Sequence, residues 1–153
     1  MTGTPTPAID ENAPVIARHS IVIHAPLDVV WRVHTDLESW PEWQSGVGSM
    51  ELLTPGPLRP GSAFRWHVEG LDITSTVRQV VPQRRVVWGG PANGIEGVHV
   101  WEFTEEPGGG VLVHTEESWS GGPVEADIPY AQQALDSSLT TWLDNLRMRA
   151  EAA

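Results

Sequence analysis

A histidine and a glutamate occupy positions where a β-hairpin would bring them face to face. The segment from Gly97 to Ser120 contains two stretches that alternate with period two, VHVWEFTE and VLVHTEESWS, joined by the turn sequence EPGGG. With the turn centred near Gly108, the numbers of opposite residues sum to about 216, which pairs His99 with Glu117. A buried imidazole beside a carboxylate can be held in one tautomer and can transfer a proton near neutral pH. We therefore predict His99 as a catalytic acid or base and Glu117 as the residue that orients it.

The pairing of His99 with Glu117 depends on the register of this hairpin. A slip of two residues keeps both side chains on one face, whereas a slip of one residue separates them. Two alternatives remain open: the pair only fixes the register of the hairpin, or it orients a ligand without catalysing a reaction. The same register gives two further pairs, Trp101 with Thr115 and Phe103 with Val113.

Two hydroxyl residues, Ser75 and Thr115, are predicted on the same face and could orient a carbonyl or hydroxyl group of a ligand. The alternative is that small β-forming residues simply fit a crowded sheet. No Gly-x-Ser-x-Gly motif accompanies either residue, so the sequence does not indicate a serine hydrolase. The other five histidines are scattered without the spacing of metal ligands, so we predict no metal site and no cofactor.

Tryptophan is frequent, with eight residues in 153, and several of these rings fall on predicted inner faces. Aromatic walls suit flat, poorly soluble ligands, because rings stack and bury a large apolar area. Ordinary core packing is the alternative for each ring taken alone. The predicted ligand-binding set is Phe64, Trp66, Ser75, Val77, Trp88, Trp101, Val113, Thr115, Trp119, Leu135, Leu139 and Trp142.

A sheet and a long helix are needed to position these side chains. The β-branched segment from Val15 to His24 predicts a first strand, and Pro26 suits the first turn of a helix. A second short helix is predicted around Trp40 and Trp43. Five successive strands then form an antiparallel meander with one aromatic face. A helix with an apolar stripe is predicted from Asp127 to about Ala150.

The turns of the meander predict its registers. Pairing Val81 with Val86 places Trp88 on the same face as Val77. The turn Gly70-Leu71 predicts three pairs, Val68 with Ile73, Trp66 with Ser75, and Phe64 with Val77.

Composition narrows the class of protein. The net charge is −11 and all nine basic residues are Arg, which argues against nucleic acid or an anionic membrane as partner. No Cys is present, and no run of about 18 apolar residues predicts a membrane span. The first residues lack the features of a signal peptide, so we expect a cytoplasmic protein, as monomer or homodimer. Residues 1–13 are predicted to be a disordered tail, and residues 14–153 a single domain.

Three segments resemble the SRPBCC superfamily, which includes START-like lipid carriers, birch-pollen-allergen-like proteins and bacterial polyketide cyclases. They are SIVIHAPLDVVWRVHTDLESWPEW (Ser20 to Trp43), GSAFRWHVEGLDITSTVRQVVPQRRVVWGG (Gly61 to Gly90) and HVWEFTEEPGGGVLVHTEESWSG (His99 to Gly121). The resemblance implies an α+β helix-grip fold, in which a curved antiparallel sheet of about seven strands wraps a long C-terminal helix. It also implies an apolar cavity between sheet and helix, with Trp40 and Trp43 at its rim.

The resemblance further implies that a small hydrophobic, aromatic or polyketide-like molecule binds in this cavity, with cyclisation or dehydration as the expected reaction of an enzyme. The inward Arg expected to steer the chain in aromatase/cyclase members has no counterpart, because Arg65 and Arg78 fall on the outer face. Two other functions remain open. One is a non-catalytic carrier, sequestering resistance protein or sensor, and the other is an interaction module similar to chaperone activators.

Overall fold

The structure of the chain is a computed structural model that describes residues 6–68 and 70–153. Within these residues the chain forms seven strands and four α-helices, with a short 3₁₀ turn at Leu37–Ser39. The strands are β1 (Val15–Ile23), β2 (Val47–Leu52), β3 (Ala63–Val68), β4 (Leu71–Val81), β5 (Arg85–Ala92), β6 (Ile95–Glu105) and β7 (Val111–Ser120). The helices are α1 (Leu27–Thr35), α2 (Trp40–Trp43), α3 (Gly122–Glu125) and α4 (Ile128–Ala152).

All seven strands belong to one antiparallel sheet with the order β1-β7-β6-β5-β4-β3-β2. Strands β2 to β7 are joined as consecutive neighbours, and β1 pairs with β7 at the far edge. The long helix α4 follows β7 and packs mainly against β1. The predicted α+β fold, with about seven strands and a long C-terminal helix, is confirmed. No helix in the described ranges is both long enough and apolar enough to cross a membrane.

The β6–β7 hairpin has the predicted register. His99 pairs with Glu117, Trp101 with Thr115, and Phe103 with Val113. In the turn, Glu106 N donates to Gly110 O, and Gly109 and Gly110 both have positive φ angles, 98° and 85°. Side chains strongly disfavour this conformation, so the GGG sequence fixes where the chain reverses. The turn therefore sets the pairing of His99 with Glu117, which are 18 residues apart in the chain.

The β3–β4 hairpin differs from the prediction by two residues. Val68 pairs with Leu71 instead of Ile73, and the pairs Trp66–Ile73 and Phe64–Ser75 follow. Gly70, with a φ of 83°, occupies the second turn position instead of the first. A shift of two residues keeps every side chain on the same face of the sheet, so the residues predicted for the inner face do lie there.

The β4–β5 hairpin also differs from the predicted register, but its two differences cancel in their effect on which face each side chain occupies. Val81 pairs with Arg85, one residue before the predicted partner Val86, because the turn is one residue shorter. The register then shifts by one residue between Val77 and Gln79, and Trp88 pairs with Val77. A bulge of this kind restores the alternation of faces. Trp88 consequently lies on the predicted inner face.

Helix α4 begins at the predicted cap and buries the predicted stripe. The side chain of Asp127 accepts a hydrogen bond from Tyr130 N, which satisfies one of the free N–H groups of the first turn. The helix extends to Ala152, two residues beyond the predicted end. Its buried residues are Ala131, Leu135, Leu139, Trp142, Leu143, Leu146 and Ala150.

The segment before β1 docks on the outer face of the sheet, which corrects part of the predicted disordered tail. Ile9 is 6% exposed and packs against Val87 and Val100. Asp10 N donates to the hydroxyl of Ser118 at 2.9 Å, so the main chain is also held. The composition of the segment does not reveal this contact, because the apolar surface that binds Ile9 forms only when β5 and β6 pair. Residues 1–5 lie outside the described residues.

Candidate functional site

A cavity of about 700 Å³ lies between the inner face of the sheet and helix α4. The sheet side is formed by β3 to β7, and four tryptophan rings stand in its walls. The cavity opens to solvent where its lining residues are exposed, among them Leu71 and Asn93. The lining tryptophans are Trp66, Trp88, Trp119 and Trp142.

Glycines make room for this cavity. Gly89, Gly90 and Gly97 line it, and Gly90 pairs with Gly97 across β5 and β6. A Cβ on Gly89 would lie 2.2 Å from Gly97 O, so no larger residue fits there without moving a strand. Glycine inside a strand often marks such a close approach. The sequence WGG within β5 therefore indicates where this part of the cavity lies.

The helix presents small side chains to the cavity. Ala134, Ser137, Ser138 and Thr141 line it, with the spacing of one helical face. The predicted ligand contacts Leu135 and Leu139 lie on the adjacent face and pack with Val15 and Ala17 of β1. The prediction for these two leucines is therefore wrong as regards this cavity, because α4 lies over β1 and turns its apolar stripe toward that strand.

The other half of the inner face is filled with side chains. Trp40 is fully buried, its ring nitrogen donates to His34 O at 2.8 Å, and its ring lies 4.9 Å from that of Trp142. Trp43 packs on Trp142 at 5.8 Å. Neither residue lines the cavity, and the lining residues from this part of the chain are Gln44 to Gly46, immediately after α2. Four other predicted contacts, Phe64, Val77, Trp101 and Val113, are core residues that do not line it.

The predicted acid–base pair is in direct contact in the cavity wall. His99 Nδ1 lies 3.2 Å from Glu117 Oε1, and both residues line the cavity. The other carboxyl oxygen, Oε2, accepts a hydrogen bond from Trp119 Nε1 at 2.8 Å. The side chain of His99 is 2% exposed and that of Glu117 is 15% exposed. The carboxyl group is thus the more accessible member of the pair.

Thr115 lies behind the imidazole and does not reach the cavity. Its Oγ1 is 2.8 Å from His99 Nε2 and donates to Val100 O at 2.9 Å. The residue is fully buried, and it is absent from the lining of the cavity. The prediction of Thr115 as a ligand contact is therefore wrong for this cavity, because its hydroxyl is already bonded to two groups of the protein.

Burial shifts the pKa of both members of the pair toward the uncharged forms. Burial raises the pKa of Glu117 to about 7, and the hydrogen bond from Trp119 opposes this only in part. Burial also lowers the pKa of His99 well below its usual value, with a further contribution from the nearby His34. Near neutral pH the pair therefore favours a state that holds a single exchangeable proton between the two side chains.

Ser75 is placed as a potential donor to a ligand. It lines the cavity, and its Oγ accepts a hydrogen bond from Trp66 Nε1 at 3.2 Å. None of the hydrogen bonds within the described residues uses the hydroxyl hydrogen of Ser75. That hydrogen is available for a carbonyl oxygen in the cavity.

Arginine is absent from the described lining of the cavity. Arg65 and Arg78 are exposed, as predicted from their positions on the outer face of the sheet. Arg65 lies 3.5 Å from Glu51. The ionisable groups of the described lining are His99 and Glu117. An anionic ligand would therefore meet a carboxyl group and no cationic partner.

Comparison with known sequences identifies the family. Residues 14–151 match the family described as polyketide cyclase/dehydrase and lipid transport. The chain belongs to this family. The predicted SRPBCC membership and polyketide cyclase resemblance are confirmed by this match.

One relative of the chain comes from Streptomyces cyaneus and is named as a candidate polyketide cyclase. The two sequences are 33% identical over 102 residues, which is 60% of this chain. The chain matches 64% of the length of that relative, less than two thirds.

Solved structures of low sequence identity share the fold. A hypothetical protein from Helicobacter pylori gives a TM-score of 0.80 at 19% identity, covering 97% of this chain and 99% of that one. A START superfamily protein from Mycobacterium smegmatis gives 0.77 at 13% identity, covering 90% and 97%. The Zhui aromatase/cyclase from Streptomyces sp. R1128 gives 0.75 at 18% identity, covering 89% and 93%. These likenesses confirm the helix-grip fold.

Proposed function

We propose that this protein binds an uncharged, largely apolar molecule with a flat ring system or a polyketide chain in the cavity between the sheet and α4. We further propose that the pair of His99 and Glu117 exchanges a proton with this ligand. The observation that carries the proposal is the position of the pair. It is an acid–base couple in a wall otherwise built from indole rings, aliphatic side chains, glycines and small or amide side chains.

The size and lining of the cavity support a small apolar ligand. A volume of about 700 Å³ falls within the range of sites that enclose most of a drug-sized molecule. Flat rings gain from stacking against Trp88, Trp119 or Trp142, and the hydroxyl groups of the α4 face can bind oxygens at one edge. Because the described lining offers no cation, an anionic group of the ligand would have no partner there.

The structure leads us to exchange the roles that the sequence suggested for the pair. Glu117 is the more exposed member, and its pKa of about 7 suits proton transfer near neutral pH. His99 is almost fully enclosed and lies behind the carboxyl group. We therefore assign the contact with the ligand to Glu117 and the support of its proton to His99.

With these roles, the pair can catalyse ring closure without a net gain or loss of protons by the protein. The ionised form of Glu117, which is present near neutral pH because its pKa is about 7, takes the proton of a ligand C–H beside a carbonyl. Nδ1 of His99 then accepts a hydrogen bond from the protonated carboxyl group. The resulting enolate carbon bonds to a second carbonyl carbon of the same molecule, and the new alkoxide takes a proton back from the pair. Ser75 donates a hydrogen bond to the oxygen on which the enolate charge develops. Glu117 holds the ligand's proton between the two steps and is ionised again at the end.

A carrier without catalysis is the second candidate, and one observation favours it. Both oxygens of Glu117 already have partners, Nδ1 of His99 and Nε1 of Trp119. A carboxyl group held in this way also fits a structural element that shapes the cavity for binding alone.

Binding and turnover distinguish these functions. We would titrate the protein with a neutral tricyclic hydroxyquinone and follow tryptophan fluorescence, expecting saturable quenching with a stoichiometry near one. The variant Glu117→Gln should bind within a few-fold of the original affinity, because the shape of the side chain is retained. With an uncharged poly-β-ketone as substrate, the same variant should lose ring closure above the spontaneous rate if the protein is an enzyme.

The matched control is Glu116→Gln, which changes the neighbouring residue on the opposite face of β7, where Glu116 pairs with Arg18. It should leave both binding and turnover unchanged. Binding without turnover in every variant would support the carrier. Absence of quenching by every neutral aromatic ligand tested would refute the proposed cavity function altogether.

A further inference from the structure

We infer that Thr115 is a positioning residue that selects the tautomer of His99 and thereby places the exchangeable proton of the pair on Glu117, the member of the pair that is more exposed to the cavity. This inference deepens the proposed function, since it concerns the same site. The contacts that support it, however, all lie within the protein, so it can be tested without a ligand.

The hydroxyl of Thr115 has one hydrogen and two close neighbours. Val100 O is a carbonyl oxygen, which can only accept, and it lies 2.9 Å from Oγ1. Two oxygens at that distance attract each other only when a hydrogen lies between them, so the hydroxyl hydrogen is directed at Val100 O. Toward His99, Oγ1 then presents a lone pair.

The imidazole must complement this lone pair. The contact of 2.8 Å between Oγ1 and Nε2 is a hydrogen bond if Nε2 carries the hydrogen. In a neutral ring Nδ1 then has a lone pair, and it faces Glu117 Oε1 at 3.2 Å. An ionised carboxylate there would place two acceptors in contact. A protonated Glu117 removes the conflict by donating to Nδ1.

The opposite tautomer would reverse this arrangement. A hydrogen on Nδ1 would be donated to Glu117 and would stabilise the carboxylate form, which needs no proton. Nε2 would then accept, and the hydroxyl of Thr115 could satisfy it only by releasing Val100 O, a buried carbonyl on β6. The Thr115 contact therefore favours the state in which Glu117 is protonated.

Within the described residues, few groups besides Thr115 can influence which nitrogen of His99 carries the hydrogen. Of the described elements packed around the pair, β1 presents Ala17 opposite Glu117, and α4 presents Ala134 and Ser138. The further titratable group that acts on the pair is His34 of α1, which disfavours a charged imidazole. Thr115 itself is fully buried and β-branched, so its χ1 angle is restricted and the hydroxyl is held in place.

The first test is the tautomer of His99 in the unaltered protein. Nitrogen-15 NMR of the imidazole, assigned with a His99→Gln variant, should give the signals of a neutral ring with hydrogen on Nε2 at pH 6. A neutral ring with hydrogen on Nδ1 would overturn the inference directly, and this measurement needs no variant at position 115.

The second test uses substitutions of Thr115. The variant Thr115→Val keeps the shape of the side chain but removes the acceptor, so the preference for hydrogen on Nε2 is lost. The carboxyl pKa of Glu117, followed by carbon-13 NMR, should fall by about one pH unit. Thr115→Ser should restore the original midpoint, since it keeps the hydroxyl.

The control is Thr35→Val, which removes a similar hydroxyl-to-carbonyl hydrogen bond, from Thr35 Oγ1 to Trp31 O at 2.7 Å, away from the pair. It should leave the midpoint of Glu117 unchanged. Equal midpoints in Thr115→Val and Thr35→Val would overturn the inference. A failure to bind any ligand would refute the proposed function but would not affect the outcome of either titration.

Discussion

Acid should destabilise the protein through His34, a histidine of α1 that is enclosed by aromatic rings. His34 is 1% exposed, and its ring lies 4.4 Å from that of Trp101 and 5.5 Å from that of Phe103. Neither ring nitrogen has a hydrogen-bond partner in the described residues. Burial lowers the pKa of His34 from 6.5 to about 3. We expect its replacement by phenylalanine to remove part of the acid sensitivity of folding.

The sign and size follow from proton linkage. The unfolded chain binds a proton at this residue near pH 6.5, whereas the folded chain binds it only near pH 3, so lowering the pH favours unfolding within this window. For one group with these two values, the free energy of unfolding falls by about 2 kcal/mol between pH 7.5 and pH 5. Near pH 4 the loss from this residue reaches about 3 kcal/mol.

Denaturant unfolding followed by circular dichroism at pH 7.5 and pH 5 measures this difference. His34→Phe should lose about 2 kcal/mol less than the original protein between the two pH values. At pH 7.5 it should be at least as stable, because two unpaired buried nitrogens are removed. His24→Phe, at an exposed position, is the control and should keep the original pH dependence. Equal losses in His34→Phe and the original protein would refute the reasoning.

Two further predictions concern the cavity. Gly89→Ala should destabilise the fold by more than about 2 kcal/mol in denaturant unfolding, because its Cβ would meet Gly97 O at 2.2 Å and strands β5 and β6 would have to separate. Wild-type stability in this variant would show that the strands can move apart easily. Ser75→Ala should weaken binding of a carbonyl-bearing ligand by about 2- to 12-fold, the effect of one hydrogen bond, measured by fluorescence titration. The affinity for a ring hydrocarbon of the same size should not change, and an equal loss for both ligands would contradict the role of the hydroxyl.

The parts of the fold that the sequence predicts well are those fixed by local rules. The β6–β7 register follows from the alternation of its two arms and the glycines at 108–110, so the contact between His99 and Glu117 could be predicted. The face of Trp88 was also correct, although the turn and the bulge that produce it were not foreseen. Two register errors of one residue each can cancel, so that a side chain lies on the predicted face of the sheet although its cross-strand partner differs from the predicted one.

The boundary of the cavity could not be predicted from the same rules. Helical periodicity groups Leu135 with Leu139, but it does not say which strand lies against their face. Similarly, the aromatic side chains of β3 and β6 share the inner face of the sheet. Whether a given ring lines the cavity or is part of the filled core depends on which helix packs against it. Trp40, contributed by a helix distant in sequence, fills that space for Phe64. Such a contact is a property of the tertiary structure.

The division of the inner face explains where the acid–base pair lies. Under α1 and α2, the ring of Trp40 packs on Phe64 and on Trp142, and Trp142 in turn packs on Trp101, so this side of the inner face is filled. Gly89, Gly90 and Gly97 carry no side chain, and these positions line the cavity. His99 lies at the border, 5.0 Å from the ring of Trp101 on the filled side, with Glu117 beside it. The filled half thus keeps the imidazole uncharged and fixed, while the hollow half gives the carboxyl group its access to a ligand.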